Sequence, residues 1–257
     1  SEFLNLEGDK FSTSRNWAVW LHEYIADYPD KLDELKYVLT SIAPESKDAE
    51  FTWKDFQSRV NSELADVLGN FLNRTFVLTH KYYDGIIPSG HTLEEKDHLA
   101  INEIKEIGER IESLMYKYKF REAQSEMMGL ARLGNRYLAE NEPWKLVKTN
   151  PERVETIMSV ALEISFKLSI AAYPFLPLTS KKIQDVLNIE AIKWMDYSQT
   201  HLTPGNAIQK PEILFAKIED DFVEQEVLKL KNKTEQISKF PPMKEPIDFD
   251  SFQKMDL

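Results

Sequence analysis

Cysteine is absent from the 257 residues. That excludes disulfides and thiolate metal sites and suits a cytoplasmic protein. Glycine is scarce, at 8 residues, which disfavours folds assembled from many tight turns. No apolar run approaches the roughly 20 residues of a membrane-spanning helix, so no membrane partner is expected. The opening Ser1-Glu2-Phe3-Leu4-Asn5 has neither the basic start nor the apolar core of a signal peptide. His22, His80, His91, His98 and His201 show no ligand-like pairing, and no metal site is expected.

What remains is globular: 42% apolar and 29% charged residues, enough for one large domain or two small ones. The formal charge of −11 disfavours broad, sequence-blind binding to nucleic acid, because neutralising phosphates supplies most non-specific affinity. Specific recognition of a few exposed RNA bases through a local basic and aromatic patch stays open.

Apolar periodicity predicts a mainly α fold. Phe56, Val60, Leu64, Val67, Phe71 and Leu78 form one face of a long helix between Lys54 and His80. Thr92 with Glu95 reads as a capping box opening a second helix, striped by Ile104, Ile107, Ile111 and Leu114. Phe120, Ala123, Met127, Leu130 and Leu138 mark a third, ended by Asn141-Glu142-Pro143. Pro151 occupies a first-turn position for a fourth, running through Val154, Ile157, Ala161, Ile164 and Leu168. Thr179 is placed to cap a shorter helix, Ser198 to Lys210 reads as a loop, and Asp220 to Lys231 as a charged surface helix. Beyond Lys233 the chain reads as a polar, proline-rich linker. Ahead of this bundle, Phe3 to Leu6 alternates like a short strand. Trp17, Trp20, Leu21, Tyr24 and Ile25 share a helical face, completing a small β-α element.

Three clusters carry candidate chemistry. Lys10-Phe11-Ser12-Thr13-Ser14 sits between the strand and the aromatic helix, and offers one cation and three hydroxyls. Asn70 and Arg74 stand one turn apart on one face of the first long helix, just after Gly69. An ordinary structural reading is a helix-edge pair bridging to the bundle. Asn135-Arg136-Tyr137 and Pro143-Trp144 close the third helix, where a Trp after a Pro is ordinarily a core anchor.

The pentapeptide resembles the mobile KMSKS loop of class I aminoacyl-tRNA synthetases. The run from Ala43-Pro44-Glu45 through Asp48, Phe51, Phe56, Arg59, Asn61, Leu64, Gly69-Asn70 and Arg74, followed by Pro143-Trp144, resembles methionyl-tRNA synthetases. The likeness extends from Gly8 to Phe215, with Thr13 standing where the family usually has a second lysine. It implies an anticodon-binding helix bundle preceded by a short β-α stem-contact element. The implied divisions are residues 1–50 for loop and stem contact, 51–234 for the bundle, and 235–257 for a linker entering an OB-type tRNA-binding domain. Lys10 and Ser12 would be catalytic, and Lys10, Thr13 and Ser14 would bind ATP. Asn70, Arg74 and Trp144 would bind the anticodon, Trp144 by stacking on an unpaired base.

The implied partners are the methionine tRNA, a catalytic domain expected before residue 1, and a homodimer made through the C-terminal domain. ATP with Mg would be used by the intact enzyme, with none bound to this portion, which alone is expected to be inactive. Asn135 and Tyr137 are expected to fix the turn. A non-catalytic helical scaffold or interaction module, or a synthetase for isoleucine, valine or leucine, are the alternative readings.

Overall fold

The structure, a computed structural model, describes residues 2–45, 47–190 and 193–238. Strands β1 (Leu4–Leu6) and β2 (Asp9–Lys10) pair antiparallel, Asn5 opposite Lys10 and Leu6 opposite Asp9. The two turn residues, Glu7 and Gly8, have φ of 48° and 82°, the left-handed pair that a tight hairpin between twisted strands requires. After α1 (Leu21–Asp27) and α2 (Leu32–Ser41), strand β3 (Ala49–Phe51) returns parallel to β1, giving the order β2-β1-β3. This third strand has no counterpart in the periodicity, which at three residues is too short to register.

The first long helix spans α3 (Trp53–Arg59), a π-helical stretch (Val60–Gly69) and α4 (Asn70–Tyr83). Wider winding in the middle redirects carbonyls away from their α-helical partners. The Val67 carbonyl accepts the Asn135 side-chain amide across the bundle at 2.9 Å. Helices α5 (Glu95–Tyr116), α6 (Phe120–Asn141), α7 (Pro143–Leu146), α8 (Pro151–Ala172), α9 (Pro177–Leu187) and α10 (Asp220–Ser238) follow. A core of fully buried side chains including Leu64, Phe71, Ile111, Met127 and Phe166 holds them, each such burial contributing about 1.5–3 kcal/mol. Helices α4 and α6 cross so closely that a Cβ on Gly134 would lie 2.2 Å from the Phe71 ring.

Several local expectations shift. The box opening α5 is Glu94 with Asp97, two residues after Thr92, because Asp97 also receives buried partners from other helices. Thr179 does not cap α9. Its own N–H, at 2.6 Å, and that of Leu178 bond the Asp33 carboxylate arriving from α2. Of the predicted aromatic-helix face, Tyr24 is buried while Leu21 and Ile25 stay exposed. The last helix runs on to Ser238, past the expected linker start. Its Asp220 is held below the usual carboxylate range by hydrogen bonds from Lys54 and Gln57 on α3. Most of the expected linker and the entry to an OB-type domain, residues 239–257, lie outside the described residues. Trp53 packs against Tyr24, Phe51, Phe56 and Phe222. One aromatic cluster therefore spans the β-α element, α3 and α10.

Candidate nucleic-acid interface

Arg74 and Trp144, 70 positions apart in sequence, meet at one end of the bundle, the guanidinium carbon 5.1 Å from the indole centroid. That is cation–π range. Trp144 is 38% exposed. Asn70 is exposed one turn before Arg74, and neither side chain bonds another protein group among the described residues. A plain scaffold would bury the indole and pair the polar residues internally. The patch instead presents an aromatic face, a five-donor fork and an amide with donor and acceptor to solvent.

A buried polar network supports the elbow that carries Trp144. Helix α6 stops at Asn141, Glu142 takes φ 45°, and Pro143 opens α7. Behind it, fully buried Asp97 accepts from Arg153 (Nη2 at 3.0 Å and also Nη1), from the Tyr137 hydroxyl at 2.5 Å and from the Glu94 amide at 2.9 Å. Arg153 Nη2 also donates to Asn141 Oδ1 at 2.7 Å. Burial alone would raise the Asp97 carboxyl. The hydrogen bonds from Arg153 and Tyr137 outweigh it and hold the group below the usual carboxylate range. Burial, then the hydrogen bond to Asp97, pushes the Tyr137 phenol up.

Of the two residues expected to fix the turn, Tyr137 joins the network behind it and its carbonyl accepts the Asn141 amide at 2.9 Å, whereas Asn135 bonds the π-helical stretch instead. Sequence reading missed Asp97, Asn141 and Arg153. One signal was available, since an arginine in the first turn of α8 opposes the helix dipole and so calls for a carboxylate partner.

The Lys10–Ser14 loop is a second, separate station. Ser12 and Trp17 exchange backbone hydrogen bonds at 3.0 and 2.9 Å, closing a small hairpin. Ser12 Oγ lies 3.2 Å from Ser14 Oγ and accepts the Arg15 N–H at 3.3 Å. Lys10, Thr13 and Ser14 are exposed. The Lys10 ammonium rests 5.7 Å from the Phe3 ring. Strand β3 grips the base of the hairpin, with Gly8 N–H donating to Glu50 at 2.6 Å and Trp53 N–H to Glu7 at 2.7 Å. Arg74 lies 21 residues beyond Trp53 on the same helix, roughly 30 Å at 1.5 Å per residue. The hairpin is thus tied to the start of the helix that carries Asn70 and Arg74 farther along. No cluster of three or more potential metal ligands occurs among the described residues.

A helix bundle that brings a half-buried guanidinium to an exposed indole, preceded by a lysine- and hydroxyl-bearing hairpin, fits a class I aminoacyl-tRNA synthetase, and the comparisons with known proteins establish that class. Two family models cover most of the chain. The anticodon binding domain of methionyl tRNA ligase matches residues 87–234, and class I tRNA synthetases (M) match residues 1–76. The chain belongs to the methionyl-tRNA ligase family. It is 50% identical over 262 residues to the methionine–tRNA ligase of Bacteroides fragilis strain YCH46, covering 100% of this chain and 39% of that protein. It is 51% identical over 264 residues to that of Flavobacterium psychrophilum, covering 100% and 38%. The chain thus spans well under half the length of the curated relatives it matches. In fold it is similar to Mycobacterium tuberculosis methionyl-tRNA synthetase in complex with methionyl-adenylate, with TM-score 0.76 and 23% identity over 83% of this chain and 42% of that one.

Proposed function

We propose that the chain is the tRNA-recognising part of a cytoplasmic methionine–tRNA ligase, which activates methionine with ATP and transfers it to its tRNA. The observation that carries this reading is the solvent-facing union of Arg74 with Trp144, with Asn70 one turn away. An indole face stacks on an unpaired base, and the guanidinium fork with the Asn amide suits the edge of a cytosine at the first anticodon position. At the other station Lys10 leaves the Phe3 ring to meet the crowded α-phosphate of ATP, and Ser12, Thr13 and Ser14 supply hydroxyl and backbone donors. Preorganised donors of this kind lower the barrier to a transition state that develops charge. The Mg that accompanies ATP finds no ligand cluster among the described residues.

Methionine activation itself belongs to a catalytic domain outside these residues, and the chain alone is inactive. A homodimer through an OB-type domain is part of the same reading. The test is Arg74→Lys in the full-length ligase, assayed with tRNAs altered at one anticodon base at a time. Charge is kept and the fork lost, so discrimination at the first anticodon base should relax more than overall affinity falls. Uniform weakening across all the tRNAs would remove the base-reading role.

A further inference from the structure

A polar cleft of about 550 Å³ opens between α2, the α3 end of the long helix and α6. It contains three arginines in a chain whose acidic residues outnumber its basic ones by 43 to 32. Arg59 is neutralised by Asp55 at 2.7 Å and Glu63 at 3.5 Å. The other carboxylates of the cleft are engaged as well: Glu122 pairs with Lys119 at 2.9 Å, and Glu45 accepts the Arg121 backbone N–H at 3.2 Å. The guanidinium groups of Arg121 and Arg132 meet no carboxylate among the described residues. Arg132 gives one N–H to the Ser125 carbonyl at 2.9 Å, which leaves most of its fork unused. Gln124, 2% exposed, donates its amide to the Tyr37 carbonyl at 3.1 Å, while its Oε1 has no partner.

Both walls of the cleft run on to the Arg74–Trp144 patch. One wall is the helix that carries Arg59 and then Arg74; the other is α6, which ends at the Trp144 elbow. Arg121 and Arg132 are 11 residues apart on α6, about 16 Å along its axis. The Arg132 side chain reaches back to the Ser125 carbonyl, four residues or about 6 Å along α6 from Arg121, a spacing that adjacent phosphates of a single strand can span.

We infer that this cleft seats the sugar–phosphate backbone of the same RNA whose unpaired bases meet Arg74 and Trp144. The inference rests on the anticodon reading of that patch. Phosphate contacts position an RNA and base contacts specify it, so the two regions divide the work. Arg121 and Arg132 set register and salt-dependent affinity, and the patch sets base preference.

The experiment measures binding of an anticodon-arm RNA hairpin of methionine tRNA to the 257-residue chain across a salt series, with unfolding curves recorded for each variant. Arg121→Ala combined with Arg132→Ala should lower the slope of log K against log salt by about 1 to 2, close to one phosphate contact per arginine. Anticodon base preference should survive in that variant. The paired lysine substitutions should recover most of the slope. Trp144→Ala should reverse the pattern, keeping the slope and losing base preference. A wild-type slope in the double alanine variant, alongside weakened binding by Trp144→Ala, overturns the cleft assignment and leaves the anticodon reading standing. Hairpin binding that responds to neither the arginines nor Trp144 overturns both.

Discussion

Replacing Trp144 by alanine in the full-length ligase separates RNA reading from amino-acid activation. Stacking one base on an aromatic platform contributes about 1–3 kcal/mol by alanine substitution. In the free protein the Arg74 guanidinium already covers part of the indole at 5.1 Å, a contact worth about 0.5–1 kcal/mol at an exposed site. A base taking that face gives up the contact. The net loss on truncation is then about 0.5–2 kcal/mol, or roughly 2- to 30-fold in kcat/KM for the tRNA. Methionine-dependent pyrophosphate exchange should be unchanged, because the Lys10–Ser14 hairpin is tied to the Trp53 end of the long helix and Arg74 lies roughly 30 Å along that helix from Trp53. Trp144 is 38% exposed, so the variant also loses covered surface and should be less stable by roughly 1–3 kcal/mol. Trp144→Phe, keeping an aromatic face, should lose less on both counts. Because each single substitution also removes the free-state contact that a bound base must displace, Arg74→Ala combined with Trp144→Ala should cost more in kcat/KM for the tRNA than the sum of the single losses. Strict additivity, or activation and charging falling together, would refute the reasoning and return Trp144 to the role of a core anchor.

Asp97→Asn leaves the buried Arg153 guanidinium with only the exposed Glu94 carboxylate, 3.4 Å from its Nε, and should cost about 2–4 kcal/mol, read as a large fall in Tm. Since hydrogen bonds hold the folded-state Asp97 pKa below the ordinary value, its contribution is fully present above pH of about 4 and is lost as pH falls through the folded pKa. The stability gap between wild type and variant should accordingly close on acidification; a gap that widens would contradict the assigned network. In the full-length ligase, Lys10→Ala should slow methionine activation on the order of 10²-fold, the scale of losing one preorganised transition-state donor. Thr13→Ala, which removes no charge, should stay within a few-fold in the same assay, and equal losses would remove Lys10 from its special role.

Much of the helical skeleton was legible because its causes are local. The apolar stripes around Ile104–Ile111, Met127–Leu138 and Val154–Leu168 lie on α5, α6 and α8. The Asn141-Glu142-Pro143 break and the first-turn Pro151 mark ends where the structure puts them. Periodicity and backbone preference act within a few residues, so a single sequence carries them. Errors came where another element supplies the partner. Thr179 looks like a cap, but Asp33, 146 positions earlier, does the capping. Leu21 and Ile25 fit a buried face, yet the packing of α1 leaves them in solvent. The π-helical stretch has the apolar spacing of an ordinary helix, and Asn135 on α6 occupies a carbonyl in its midst.

The candidate site divides the same way. The residue types at Asn70, Arg74 and Trp144, and the order of motifs along the chain, were determined by the sequence alone. That Arg74 lies over Trp144, that Asp97 and Arg153 stand behind the elbow, and that Arg121 and Arg132 flank a shared cleft was decided only by how the helices cross. Such contacts join residues tens of positions apart. Which side chains end up adjacent depends on the helices packing as rigid rods around a filled core, and no local pattern encodes that choice.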